Sequence, residues 1–386
     1  MTDPAHLSAA GLVAPDLSGA HLGRLIPAAL DSLGVDIPGF DGAASRALLG
    51  LPQARHVVVV LLDGLGHYQL EARRGHAPFL RGAESAIISA SFPTTTATSL
   101  ALLGTGRAAG LTGMTGYTAR NPATGGLANL VTWAGADEAH SWQREPRLMA
   151  LAADAGVAVT TLGKSRFDGS GLTRAVLDGG KFVGVDTLAA SVDAAIAASA
   201  GEGITYLYWS EIDAAGHAKG WESDQWVAAL EEADRELARL ARGIAKGSAL
   251  VVTADHGMID VAGEPRWDVA EVPALSQDVE IVAGEPRAIH VHANPGTDPA
   301  SIATRWAEVL GDHAVVGTRE QWIAAGVFGP VAPHVEARIG DVVVAMTGRA
   351  TVVDARTQTP ASMALAGMHG SLTLEELMVP LLTIEA

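Results

Sequence analysis

The sequence predicts an α/β fold: a mostly parallel central sheet with helices on both faces, carrying a small α+β insertion. Three observations predict it. The first is His56–Leu62, a β-branched and aliphatic run without polar alternation, which suits a strand buried on both faces. The second is the recurrence of short apolar runs at residues 157–162, 204–209, 249–253 and 342–346. The third is the Ala/Leu/Glu-rich stretches of helical length between them, at 146–155, 187–200 and 223–245. Strand alternating with helix is the pattern of a parallel sheet with crossover helices.

Before the first strand, residues 1–50 read as a covering segment, with a short helix at 27–33 opened by Pro27 and a Gly/Pro-rich turn at 34–42. After the fourth strand the pattern changes. An alternating strand at 288–293, a helix at 298–310, a short strand at 314–317 and a helix at 319–325 suggest a small inserted unit. The expected division is therefore a catalytic α/β domain over 1–281 and 339–386, with an α+β subdomain at 282–338 inserted into it.

Composition narrows the chemistry. With 48% hydrophobic and 18% charged residues, the 386-residue chain has the apolar content for a core and is not a disordered polypeptide. It contains no cysteine, which excludes disulfide scaffolds, thiolate metal sites and cysteine nucleophiles, so a transition metal must sit on His, Asp and Glu. The net charge of −17 repels polyphosphate backbones and argues against a nucleic-acid polymer as partner. The start, Met1-Thr2-Asp3-Pro4, lacks a basic region followed by an apolar one, and no apolar run approaches the ~18 residues of a membrane span. A cytoplasmic protein without a membrane partner is the expectation.

Open α/β sheets place ligand chemistry beyond the carboxyl ends of their strands. Here those ends run into Asp63-Gly64, into Ser210-Glu211-Ile212-Asp213 with His217 four residues on, and into Asp255-His256-Gly257; a further His369 precedes the last segment. Singly these are ordinary, because an Asp after a strand commonly caps a turn and a lone His is commonly structural. Asp213 and His217, at i and i+4, face the same way on a helix. Three Asp and three His together, without sulfur, suit zinc or manganese. Ahead of a short helix lies the hydroxyl cluster Ser91-Phe92-Pro93-Thr94-Thr95-Thr96-Ala97-Thr98-Ser99, where free N–H groups and the helix dipole favour an anion.

The set resembles the alkaline phosphatase superfamily, specifically its type I phosphodiesterase/nucleotide pyrophosphatase branch, over residues 56–385. The motifs that carry the resemblance are the strand ending in Asp63-Gly64, Phe92-Pro93-x-x-Thr96 running to Thr105-Gly106, Asp213-x-x-Gly216-His217, Thr253-x-Asp255-His256-Gly257-Met258, and His369. The resemblance implies Thr96 as nucleophile, two divalent ions, zinc or else manganese, and a covalent phospho-threonine intermediate. It implies that Asp213, His217 and His369 bind one ion, and that Asp63, Asp255, His256 and the Thr96 oxygen bind the other. A small phosphate-containing substrate and cleavage of phosphodiester or pyrophosphate bonds follow. Alternatives are a phosphomonoesterase or phosphonate hydrolase on the same metals, or a metal-binding relative without catalysis. The sulfatase branch is disfavoured by the lack of its Cys/Ser-x-Pro-x-Arg motif, and the phosphoglycerate-mutase branch by a Thr where it uses Ser.

The chain departs from the family after the nucleophile helix. Nucleotide pyrophosphatases usually carry an Asn there that donates to a non-bridging phosphate oxygen; the matching position is Tyr117. Its hydroxyl, Thr115 or Asn121 is expected to donate instead. Lys164 and Arg166, after the predicted strand at 157–162, suit either a leaving group's anion or a solvated surface. His290 and His292 alternate on one strand with no carboxylate nearby in sequence, and are expected to be structural.

Overall fold

The computed structural model describes residues 4–386. The central sheet has seven strands, in the order Glu84–Ser89, Met378–Glu385, Ser248–Thr253, His56–Leu62, Gly203–Trp209, Val159–Gly163 and Lys181–Gly184. His56–Leu62 runs parallel to Gly203–Trp209 and to Ser248–Thr253, while Met378–Glu385 runs antiparallel to both its neighbours. Every residue of His56–Leu62 and of Ser248–Thr253 is buried, as the unbroken apolar runs require of strands covered on both faces.

The covering helices form two packed groups. Leu25–Ser32, Gly42–Leu49, Thr96–Thr105, Leu148–Asp154 and Gly171–Val176 make one, and Pro78–Ala83, Leu188–Ala198, Glu211–Lys219 and Asp224–Gly243 the other. The helices expected at 146–155, 187–200 and 223–245 thus form, at Leu148–Asp154, Leu188–Ala198 and Asp224–Gly243, and the last two open on side-chain caps: Thr187 Oγ1 accepts the N–H of Ala190 and Ser223 Oγ that of Trp226. The N-terminal segment covers as expected, with Leu22, Leu25, Ile26 and Leu30 fully buried in the main core. No helix among the described residues is long and apolar enough to cross a membrane.

A second, wholly antiparallel sheet stands beside the first. Its six strands run Ala314–Thr318, Val342–Met346, Ala288–Ala293, Val279–Glu285, Thr118–Arg120 and Leu127–Asn129. This corrects one expectation: Val342–Met346 is not a strand of the central sheet but pairs between Ala314–Thr318 and Ala288–Ala293. The reason is physical. One face of the second sheet packs on the helix Pro299–Leu310 through Trp306 and Ile302, and the other on Phe92, Trp322 and Phe328. Val342–Met346 is therefore buried on both sides, and a doubly buried strand loses its alternation whichever sheet it joins. The sheet also reaches beyond 282–338, taking strands from both sides of that stretch.

Candidate active site

The three adjacent strands Ser248–Thr253, His56–Leu62 and Gly203–Trp209 end side by side, with Leu62 opposite Trp209 and Leu61 opposite Thr253. Their carboxyl ends deliver Asp255-His256, Asp63, and the helix Glu211–Lys219 that carries Asp213 and His217. His369 follows the two-residue strand Gly367–Met368, which pairs with Ile259–Asp260 just beyond His256. Thr96 opens the helix Thr96–Thr105, with Thr95 in the N-cap position and no side chain capping the first turn. Close approach requires glycine at Gly64, where a Cβ would meet the Asp213 Cα at 2.9 Å and where φ is +75°.

All six expected ligand residues and Thr96 meet. Ligand atoms of Asp213, His217 and His369 lie within 4.8 Å of one another, and so do those of Asp63, Asp213 and His256. Asp213 thus stands between the two groups. Asp255 joins through Oδ2, 3.6 Å from His256 Nε2, and Thr96 Oγ1 lies 3.4 Å from that same nitrogen.

The donor atoms are oriented as metal ligands need to be. His217 Nδ1 donates to the Gly367 carbonyl at 2.8 Å, His369 Nδ1 to Thr94 at 2.7 Å, and His256 Nδ1 to Gly257 at 2.9 Å. A carbonyl only accepts, so each Nδ1 carries the proton and each Nε2 keeps its lone pair. Two of these lone pairs, on His369 and His217, face each other at 3.2 Å. The carboxylates show the same division. Asp63 Oδ2 accepts the hydroxyl of Tyr208 and Asp255 Oδ1 accepts the Gly64 N–H, while Asp63 Oδ1, Asp255 Oδ2 and Asp213 Oδ1 are buried without a partner. Buried lone pairs converging without donors are costly unless a cation takes them up, so these residues fit metal ions.

Electrostatics agree. Burial, then Asp255 and Asp213, pushes the Asp63 carboxyl well above its usual range, and burial raises Asp255 as well. Burial, then His256 and His217, holds His369 well below the ordinary histidine value.

Outer contacts fix the loops. Thr94 N–H donates to the Gly370 carbonyl at 3.0 Å and its hydroxyl to the Ser371 carbonyl at 2.8 Å, tying the turn before Thr96 to the His369 loop. Behind that loop Arg287 and Glu376, both fully buried, pair at 2.7 Å, and Glu376 also accepts the Ser371 N–H at 3.0 Å. Removing one partner of such a pair costs about 3–5 kcal/mol, because the other is left charged and alone.

The weaker expectations divide. Asn121 does not join the site: its amide donates to Gly135 and Asp137 and its carbonyl accepts from Ala123, all within its own turn. Tyr117 is 42% exposed, and it is its N–H that is held, by Glu285 Oε2 at 2.6 Å. Thr115 is fully buried with an unpartnered hydroxyl. Lys164 pairs with Glu211, the first residue of the helix bearing Asp213, and lies 5.3 Å above the Trp209 ring. His290 and His292 are buried in the second sheet, away from either ligand group, and the Gly340 N–H donates to His290 Nδ1. Burial lowers His290 to about 3, so it stays neutral, as a structural histidine would.

Sequence reasoning missed Tyr208 and Glu285. Tyr208 is signalled only by its place: Tyr206 and Tyr208 put phenols on one face of a buried strand that ends at the site. Glu285, the last residue of the strand Val279–Glu285, packs its Cγ where a Cβ on Gly370 would clash at 2.5 Å.

The sequence matches the type I phosphodiesterase / nucleotide pyrophosphatase family over residues 57–372. The chain belongs to this family. No curated protein matches it significantly. Among solved structures it is similar to murine ectonucleotide pyrophosphatase/phosphodiesterase 5, with 16% identity, TM-score 0.67, and 85% of this chain and 87% of that one covered. An inactive form of that murine protein, in complex with AMP, matches with TM-score 0.68, the same identity and the same coverage. Phosphonoacetate hydrolase from Sinorhizobium meliloti, in complex with phosphonoacetate, matches with 22% identity, TM-score 0.68, and 90% and 92% of the two chains covered. At these identities the structural likenesses speak for the fold alone.

Proposed function

We propose that this member of the family is a two-metal hydrolase that cleaves phosphodiester or pyrophosphate bonds through a covalent phospho-threonine on Thr96. The observation that carries the reading is the convergence of three imidazole lone pairs and three unpartnered carboxylate oxygens beside the Thr96 hydroxyl. Asp213, His217 and His369 would hold one ion, and Asp63, Asp255, His256 and Thr96 the other. The carboxylate–imidazole set without cysteine suits zinc, with manganese as the alternative. Bound there, two such ions would lower the pKa of the Thr96 hydroxyl and offset charge on the attacking and leaving oxygens of an in-line displacement.

The chain's own residues supply the rest. Thr96 Oγ1 gives up its proton to solvent and forms the new O–P bond as the bond to the leaving oxygen breaks. Water then cleaves the phospho-threonine and restores the hydroxyl. The open first turn of Thr96–Thr105 offers N–H groups to the phosphoryl oxygens. Of the three expected donors, Asn121 is spent in its own turn, and Thr115 has the buried, unpartnered hydroxyl. The substrate is a small phosphate-containing molecule rather than a polymer, in keeping with the net charge of −17.

A second reading, hydrolysis of a phosphonate or phosphomonoester, is favoured by Lys164, a cation with 18% of its side chain exposed beside the Asp213 helix. A monoester dianion carries one more negative charge than a diester, and no Arg or Lys flanks Thr96 until Arg107. We expect the diester to win. The test is metal content together with kcat/KM for bis(p-nitrophenyl) phosphate and p-nitrophenyl phosphate under identical conditions. A monoester advantage above about tenfold, roughly 1.4 kcal/mol, replaces the first reading by the second. Bound metal with no turnover of any ester favours a non-catalytic relative.

A further inference from the structure

We infer that Tyr208 is a positioning residue for the buried metal position, its hydroxyl holding Asp63 Oδ2 so that Oδ1 is presented to the ion. The inference rests on the two-metal reading above. Five of the six ligand residues have an identified protein contact that turns a lone pair toward the centre, and four of those contacts are main-chain groups: the carbonyls of Gly367, Thr94 and Gly257 and the N–H of Gly64. The fifth is the side-chain hydroxyl of Tyr208 on Asp63. Asp63 also lacks an alternative, since its Oδ1 is buried without a donor and lies 3.4 Å from His256 Nε2.

The phenol is itself held in place. It sits one residue from the end of Gly203–Trp209, the strand parallel to the one that ends at Asp63, with Tyr208 opposite Leu61. The edge of the Phe167 ring packs against it, centroids 5.7 Å apart and planes at 69°. Phe167 belongs to the turn Ser165–Phe167, next to Lys164. A phenol hydroxyl has one proton to donate and a carboxylate oxygen only accepts, so the contact runs from Tyr208 to Asp63. Partners of this kind fix the orientation of a ligand and raise its basicity, and losing one typically costs about 10–100-fold in metal affinity.

Tyr206 provides the control. It lies two residues earlier on the same face of the same strand, is fully buried, and its hydroxyl has no partner. Zinc affinity would be measured by competition with a metallochromic chelator for the wild type, Tyr208→Phe and Tyr206→Phe, with folding checked by circular dichroism and melting in the metal-free state. We expect two zinc sites in the wild type, one of them weakened about 10–100-fold in Tyr208→Phe and the other unchanged, with Tyr206→Phe like the wild type. Equal affinities in Tyr208→Phe and wild type overturn the inference, and so does equal weakening of both sites or the same loss in Tyr206→Phe. Should Tyr208→Phe fail to fold, Phe167→Leu, which frees the phenol without removing it, is expected to weaken the same single site, and an unchanged affinity there overturns the inference. A wild-type protein that binds no zinc or manganese overturns the two-metal reading instead, and is recognised before any variant is made.

Discussion

The two halves of the ligand cluster are built differently. Asp213 and His217 come from a helix and His369 from the loop after a short strand, and their side chains remain 15%, 26% and 8% exposed. Asp63, Asp255 and His256 come from the ends of two central strands and are 3%, 0% and 0% exposed. Strand ends in a doubly covered sheet hold charge where water cannot screen it, which is why burial leads the shifts of Asp63 and Asp255. A helix at the rim leaves Asp213 and His217 within reach of water, and Asp213 stands within reach of both groups.

The largest expected effect lies on the buried side, where Thr96 meets His256. Thr96→Ala is expected to lower turnover by roughly three orders of magnitude or more while leaving fold and metal content intact, as loss of a covalent nucleophile does. Near-normal turnover would move the nucleophile to another hydroxyl and detach the chemistry from this half.

Metal removal sharpens the contrast next. In strong chelator the melting temperature is expected to fall, because ions that bind only the folded state stabilise it by about 4 kcal/mol at a thousandfold excess over Kd. The α/β core should stay folded, since the strands and helices bury an extensive apolar core of their own. Release should run in two phases, the wetter half first. A single phase would show that exposure does not set the order, and an unchanged melting curve on protein shown to start with metal would remove the metal assignment altogether.

Glu285 isolates burial from convergence, being a buried carboxyl outside both ligand groups. Burial raises it from 4.5 to about 8, opposed by the Tyr117 N–H. A carboxyl raised in the folded state costs stability once it must ionise, so this contribution is fullest below pH 4.5 and is lost as pH rises to about 8. Glu285→Gln keeps an acceptor for Tyr117 and cannot ionise. Urea unfolding on either side of that window should show the variant gaining on the wild type as pH rises, by on the order of a few kcal/mol. Parallel pH curves for the two proteins would falsify the reading of Glu285.

Much of the site was legible because its chemistry is local. Asp63, Asp213 and Asp255 each follow an apolar strand within a few residues, and Asp213 and His217 share a helix face at i and i+4. Burial patterns and helix caps follow from the same short-range rules, so the central strands and the helices at 148–154, 188–198 and 224–243 appear where periodicity puts them. Val342–Met346 was not legible, because an unbroken apolar run reports burial on two faces and says nothing of which sheet provides them.

What the sequence by itself determined is therefore the alternation of strand and helix, the absence of sulfur chemistry, and the residue types standing at each strand end. Only the tertiary structure decided which atoms of those residues remain available. The carbonyls that accept from the Nδ1–H of His369, His256 and His217 come from Thr94, Gly257 and Gly367, and the donor that occupies Asp63 Oδ2 comes from Tyr208, 145 residues away. The Arg287–Glu376 pair that backs the His369 loop spans 89 residues between the second sheet and the C-terminal segment. Such pairings depend on strand order and packing rather than on neighbours in the chain, and no local propensity encodes them.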